Sequence, residues 1–535
     1  MSQAIAGTLP ARPNLDARPH RSGAVIFVVL LGIGLGYTLN GLLGDIDAAH
    51  TPPVAIGAFV LLGIALLIAL GFEFVNGFHD TANAVATVIY THSLPPHLAV
   101  VWSGAFNFLG VMVSSGAVAF SVVSLLPVEL ILQVGNSAGF AMIFSLLIAA
   151  IVWNLGTWWL GLPASSSHTL IGSIIGVGLA NQLMAPTGSG TSGVDWSQAM
   201  GVFQALLFSP VVGFVASALM LLAMRALVRN RALYEAPTSN APPPPWIRGL
   251  LVLTCTGVSF AHGSNDGQKG MGLIMLILIG SVPTAFALNH AMPSSATPAF
   301  LATTQRAQAV FEAHAGSAKV PLETARTVVT DAVRTRTVQG SETWAALATL
   351  SGDIAAQVKA RGEMSAIPAA AVQNVRNDMY LVSEAIRLAQ KPGAGLSAQD
   401  AATLSAYRGE VDAATKFIPT WVKVAVAIAL GLGTMVGWKR IVVTVGEKIG
   451  KSHLTYAQGA SAEMVAAITI GAADMFGLPV STTHVLSSGV AGTMAASGSG
   501  LQWGTVRSLA LAWVLTLPAA ILLSGGLYWT LRQLF

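Results

Sequence analysis

The chain has 535 residues, of which 53% are hydrophobic and only 9% are charged. A soluble protein carries roughly 25% charged residues, so this composition excludes an ordinary soluble domain and describes a polytopic membrane protein. The 27 Lys/Arg outnumber the 23 Asp/Glu, but they sit in short loops, which reads as membrane topology rather than nucleic-acid binding. A single cysteine, Cys255, excludes an intrachain disulfide.

In chain order, Arg12, Arg18 and Arg21 precede an apolar run over 23–43. No A-x-A site follows it, so a retained first helix is expected rather than a signal peptide. Further apolar segments of spanning length lie near 54–92, 98–126, 138–160, 164–182, 200–228, 249–288, 417–436, 455–476, 480–498 and 505–531. The expected fold is all-α, with about 10–12 transmembrane segments. Segments 54–92 and 249–288 are nearly twice the roughly 20 residues that one span needs, and each carries an Asp in its middle. They read as broken helices, or as spans joined to re-entrant pieces.

Two segment pairs repeat. Residues 76–86, NGFHDTANAVA, align without a gap on 262–272, HGSNDGQKGMG; residues 161–176, GLPASSSHTLIGSIIG, align on 477–492, GLPVSTTHVLSSGVAG. The basic loops near 225–248 and 438–453 should share the cytoplasmic side with the N-terminus, leaving 44–53, 290–415 and the C-terminus outside. Five segments per copy then invert one copy relative to the other about a pseudo-twofold axis in the membrane plane. The expected organisation is an N-terminal segment with the first helix (1–53), a first repeat (54–228), a Pro-rich linker (229–248), the start of the second repeat (249–289), an insertion (290–415) and the rest of that repeat (416–535). The motifs are 84 residues apart in the first copy (Gly77 to Gly161) and 214 in the second (Gly263 to Gly477), a difference close to the length of 290–415. That stretch holds 22 of the 50 charged residues and shows apolar spacings of three and four, so it reads as soluble helices.

The repeated motifs carry chemistry. Asp80 and Asp266 are carboxylates in apolar segments, costly unless paired or hydrated. With Asn76, Asn83, Asn265 and Gln268 they offer the oxygens that hard cations prefer; the bland alternative is a buried Asp capping a helix break. Ser165, Ser166, Ser167, Ser481, Thr482 and Thr483 follow Pro163 and Pro479, where helix N-termini leave NH groups free. Two such ends make a cage for a tetrahedral oxyanion; ordinary N-capping is the alternative. His79, His168, His262 and His484 lie in the same motifs as proton acceptors, anion donors or neutral core residues. Lys269 stands one helical turn from Asp266, the spacing of an ion pair, and Glu73 and Glu463 are candidate proton carriers. A hydrolase is disfavoured, because no G-x-S-x-G element surrounds these serines.

These residues resemble the inorganic phosphate transporter (PiT) family, marked by a duplicated G-x-N-D-x-x-N-A element, here Gly77 to Ala84 and Gly263 to Gly270. The P-x-S-[ST]-[ST]-H elements and residues 437–464 also match, the latter like the bacterial low-affinity branch. The resemblance implies a multi-pass protein of the bacterial inner membrane that needs no cofactor and takes up phosphate by alternating access, coupled to H⁺ or, alternatively, Na⁺. It implies Asp80, Asn83, Asp266 and Asn265 as cation or proton sites, with Ser165, Ser166, Ser481, Thr482 and Gln268 as phosphate contacts. A neutral complex of phosphate with Mg²⁺ or another divalent metal is implied as a substrate, and a homodimer as an assembly. Transport of sulfate or another oxyanion, or a non-transporting receptor using 290–415, are the competing readings. This chain departs from the family pattern at His79, Lys269 and Gly270, and a lysine at that place leans toward proton coupling.

Overall fold

The structure, a computed structural model, describes residues 12–15, 21–51, 55–132, 135–186, 193–391 and 395–534, without the side chains of 81–83 and 365. Arg18 and the side chain of Asn83 therefore lie outside the described residues. The helices are α1 Arg21–Ala48, α2 Ile56–Tyr90, α3 Pro96–Val113, α4 Ala117–Val123, α5 Val128–Leu132, α6 Ser137–Trp159, α7 Ser166–Met184 and α8 Trp196–Leu227. Then follow α9 Pro245–Ser281, α10 Pro283–Phe286, α11 Thr297–Ala315, α12 Leu322–Thr335, α13 Ser341–Arg361, α14 Ala369–Ala389, α15 Ala398–Thr415, α16 Thr420–Thr434, α17 Lys439–Val443, α18 Tyr456–Met475, α19 Thr482–Ser497 and α20 Trp503–Leu534. The protein is an all-α membrane protein, and large apolar side chains on α1, α8 and α20 (Ile33, Leu219, Leu522) stay exposed as a lipid-facing surface requires.

The expected breaks in the two long Asp segments are absent. Helix α2 runs unbroken for 35 residues and α9 for 37. At about 1.5 Å per residue both exceed about 50 Å, well beyond a hydrocarbon core of about 30 Å. Their motif glycines serve close packing instead. A Cβ on Gly77 would lie 2.2 Å from Leu430 O of α16, and one on Gly263 would lie 2.1 Å from Asn107 O of α3. The partner helices answer in kind: a Cβ on Gly433 would meet Phe74 O and one on Gly110 would meet Phe260 O, both at 2.1 Å. The first repeat's long helix thus packs on the second repeat's α16, and the second repeat's on α3, by matching contacts.

The same exchange recurs further on, where α7 packs on α20 and α19 on α8. Helices α2 and α9 run antiparallel. The α2 C-terminus meets the α9 N-terminus where Arg248 Nε donates to Ser93 O at 2.8 Å. That end also gathers Tyr90, Glu447 and Arg12, with Tyr90–Glu447 at 2.8 Å and Arg12–Glu447 at 3.7 Å. The opposite end carries Thr51 against Thr284 and the helices of the insertion.

The left-handed turns of the motifs sit between helices rather than within them. Helices α18 and α19 form a hairpin whose base is joined by Gln458 Nε2 to Ser497 Oγ at 2.7 Å. Helices α6 and α7 form another, with Gly178 near the α7 end packed on Pro127 and Val194. At the hairpin tips the equivalent Gly161 and Gly477 take φ of +68° and +64°, a left-handed turn that a Cβ would strain. Each hairpin returns to the end it came from. Among the described residues six helices are long and apolar enough to span, or seven if the bent pair α15–α16 forms one. Helices α7, α9 and α18, which carry polar motifs, and the short α16 and α19 are not among the six.

Candidate functional site

The hairpin tips meet beside the middles of α2 and α9, and nearly every motif residue is buried there. The His168 and His484 rings lie 4.5 Å apart, and Ser167 Oγ donates to Val480 O at 2.7 Å. Asp80 is the hub. His79 Nδ1 stands 2.9 Å from its Oδ1, Thr483 Oγ1 of the other repeat donates to Oδ1 at 2.7 Å, and Ser166 Oγ bonds Oδ2. Ser166 Oγ also lies 2.8 Å from Asn76 Oδ1, and Asn76 Nδ2 lies 3.3 Å from Glu73 Oε2. A polar chain therefore links Glu73 to Asp80 through Asn76 and Ser166.

Asp266 is built differently. Lys269 Nζ stands 2.7 Å from Asp266 Oδ1 and 2.5 Å from Ser167 Oγ of the first repeat. His262 Nε2 lies 3.5 Å from Asp266 Oδ2, while its Nδ1 lies 2.8 Å from Asn107 Oδ1. One oxygen or nitrogen from each of Asp80, His262 and Asp266 falls within 4.8 Å of the others, a spacing that could hold a metal ion.

The hydroxyl motifs divide by role. Ser165 Oγ and Ser481 Oγ accept from the backbone NH of His168 (3.2 Å) and His484 (3.1 Å), so both cap the short helices. Thr482 Oγ1 has no hydrogen-bond partner among the described residues, and neither has His168 Nδ1 or His484 Nε2. These three buried groups lie at the tips and are open to a ligand, Thr482 through its hydroxyl and each histidine nitrogen as donor or acceptor according to its tautomer.

Other expected residues are engaged elsewhere. The Gln268 amide is spent on Ser264 O (2.8 Å), Asp474 Oδ1 (2.6 Å) and the NH of Val118 (2.9 Å). Asn265 Nδ2 donates to Leu478 O at 3.1 Å, while its Oδ1 has no partner among the described residues. Glu463 lies outside the cluster, its two oxygens bonded by the hydroxyls of Thr87 and Thr254, the latter at 2.5 Å. Sequence reasoning missed Asp474, Thr157 and Asn107. An acid in an apolar segment could have flagged Asp474, which lies near the end of the 455–476 segment. Thr157 and Asn107 carried no signal.

Known proteins share this sequence over most of its length. A family described as "Phosphate transporter family" matches residues 76–524. The chain is 45% identical over 497 residues to "Low-affinity inorganic phosphate transporter PitA" of Escherichia coli K12, covering 89% of this chain and 97% of that protein. It is 42% identical over 505 residues to PitB of the same organism, covering 90% and 99%. A "Probable low-affinity inorganic phosphate transporter" of Bacillus subtilis is 27% identical over 480 residues, covering 89% and 99%. A solved structure entitled "The sodium-dependent phosphate transporter" superposes with a TM-score of 0.48 at 20% identity, covering 89% of this chain and all of that one.

Proposed function

This chain belongs to the phosphate transporter family and is a multi-pass transporter of the bacterial Pit type rather than an enzyme; from that premise we propose that it takes up phosphate coupled to protons by alternating access. The observation that carries the reading is the nitrogen donor standing on each motif aspartate, His79 on Asp80 and Lys269 on Asp266. Lys269 is a fixed cation in the place where a free ion would otherwise meet Asp266. His79 supports a proton on the other. Its Nε2 lies 3.1 Å from Thr157 Oγ1, and that hydroxyl is 3.0 Å from Trp153 O. While Thr157 donates to Trp153 O, its oxygen accepts from Nε2–H. Nδ1 then faces a carboxylate that already accepts from Thr483 and Ser166, so a proton must lie between Nδ1 and Oδ1. If Thr157 swings to donate to Nε2, that nitrogen is bare, a neutral His79 with its one proton between Nδ1 and Oδ1 suffices, and the former Nε2 proton is free to leave.

Charge favours phosphate arriving neutralised. Once that proton has left, two carboxylates and one ammonium leave the cluster net negative, and a bare phosphate dianion would meet like charge at close range. A proton or a divalent metal removes that cost, and the Asp80, His262, Asp266 grouping supplies hard-metal donors. The substrate we favour is therefore a neutral metal–phosphate, with Ser166, Ser167 and Thr482 at the anion and Thr483 holding Asp80. Glu73 and Glu463 are further buried carboxylates for proton carriage, and Asp80, Asn76, Asn83, Asp266 and Asn265 form the coupling site. Sodium coupling keeps one supporting observation, the unpartnered Asn265 Oδ1. The end carrying Arg12 and Arg248 faces the cytoplasm by the positive-inside rule, in the inner membrane.

The test is radiolabelled phosphate uptake into proteoliposomes under an imposed proton or sodium gradient, with and without Mg²⁺. Uptake driven by protons and raised by Mg²⁺ is expected. Uptake driven by sodium alone would overturn the coupling reading.

A further inference from the structure

Between the insertion and the transmembrane helices lies a cavity of about 50 Å³, walled by Phe120 and Ser124 at the end of α4, Gly272 and Met275 of α9, and Arg376 and Tyr380 of α14. At about 10–15 Å³ per water it holds several waters, or one small anion in their place. Its α9 wall begins one helical turn beyond Gln268. There Gly272 brings α9 against α4: a Cβ on it would lie 2.7 Å from Ala119 O.

Charge is unevenly balanced in this cavity. Lys416 in its wall pairs with Asp412 at 2.9 Å, and Glu384 pairs with Arg387 at 2.7 Å. Arg376 is only 7% exposed, yet among the described residues no carboxylate pairs with it. Its guanidinium donates to two neutral acceptors, Asn377 Oδ1 at 3.2 Å and Ile131 O at 3.5 Å, and its Cζ lies 5.4 Å from the centre of the Tyr380 ring. A guanidinium carries five N–H donors in a fork that matches tetrahedral oxyanions. Burial pulls Arg376 down to about 10 from its ordinary value of 12.5, so the site disfavours this charge unless an anion joins it. A surface arginine with nothing to bind would keep its head in water.

We propose that this cavity is a second oxyanion site, anchored by Arg376, that holds phosphate at the insertion end before it reaches the central cluster. The proposal rests on the reading of the chain as a phosphate transporter. It gives the insertion a role in transport, because α14 supplies a buried cation with no carboxylate partner among the described residues. Loading would draw phosphate to the Gly272–Ala119 contact, whose opening admits it to the hairpin tips.

The test uses the full-length protein in detergent, with labelled inorganic phosphate in equilibrium dialysis in the presence of Mg²⁺. Wild type is expected to bind two phosphates per chain. Arg376→Gln should bind one and raise the KM for uptake at least fivefold with kcat within twofold; Arg376→Lys should keep two sites with the outer one weakened. Unchanged stoichiometry and KM in a folded Arg376→Gln protein would overturn the proposal. If that variant does not fold, unchanged binding by Arg376→Lys overturns it equally. Loss of the second site on adding phosphatidylglycerol would assign the cavity to a lipid headgroup and also overturn it. Because dialysis reads binding without a gradient, a protein that binds two phosphates but fails to take them up would defeat the transport reading and leave this site standing.

Discussion

Lys269 of the second repeat reaches Ser167 of the first at 2.5 Å, standing between it and Asp266. In the other copy the equivalent hydroxyl, Thr483, bonds Asp80 directly at 2.7 Å with no cation between. The near-identical hydroxyl motifs are thus used in two ways, and a single side chain makes the difference. Lys269→Asn restores the family residue and removes the tethered charge. Proton-driven uptake should fall at least tenfold, and a sodium gradient should recover part of it, measured in proteoliposomes. Unaltered proton-driven uptake would take Lys269 out of the coupling site. Lys269→Met should also lower the melting temperature, since removing one partner of a buried pair costs about 3–5 kcal/mol.

Adjacent hydroxyls should separate binding from stability. Thr483 bonds Asp80, whereas Thr482 Oγ1 has no partner among the described residues. Thr483→Val should destabilise by about 1–3 kcal/mol, the cost of a buried carboxylate losing a donor. Thr482→Val should leave the thermal melt nearly unchanged and raise the KM for phosphate. Equal effects of the two changes on melting temperature would refute the assignment.

Gly270 breaks the family pattern because another side chain fills its space. A Cβ there would lie 2.3 Å from Glu73 Cγ, and Glu73 Oε1 would be as close. Gly270→Ala should destabilise by roughly 1–3 kcal/mol through overpacking. Adding Glu73→Ala should recover at least about 0.5 kcal/mol of that loss, read as a coupling energy from a double-mutant cycle of melting curves. Strict additivity would mean the two residues do not meet.

The insertion is tied down through Asp195, which caps α8 and meets Arg387 at 3.2 Å and Arg336 at 3.6 Å. Burial alone would raise its carboxyl, but the NH of Gln198 and the two guanidinium groups outweigh that and hold it below the ordinary 3.8. A depressed carboxyl adds stability that is fully present above pH 3.8 and is lost as pH falls through the folded value. Protease resistance of the insertion should therefore be constant from pH 7 to about 5 and drop below about 4. Asp195→Asn should show the weaker resistance at every pH. A wild-type profile flat to about pH 2 would show that this contact does not hold the insertion.

The sequence by itself determined the membrane class, the duplication, a charge-rich stretch set apart from the apolar segments, and part of the set of residues that meet at the centre. Each is written in local chemistry: an apolar run, a repeated string, a charge-rich stretch, or a carboxylate too costly to bury without purpose. It misplaced the irregular backbone. Glycine in a long apolar segment signals either a break or a close approach, and only the neighbouring helices decide which; Leu430 and Asn107 press against Gly77 and Gly263, so α2 and α9 stay whole. It also could not tell Ser165 from Thr482, because capping and ligand binding use the same hydroxyl, and the choice depends on which NH lies within reach. Gly270 is the sharpest case: in sequence a departure without cause, in three dimensions the room that Glu73 requires, 197 positions earlier in the chain. Contacts of that separation leave no trace in local pattern, because their energy exists only once both helices are packed.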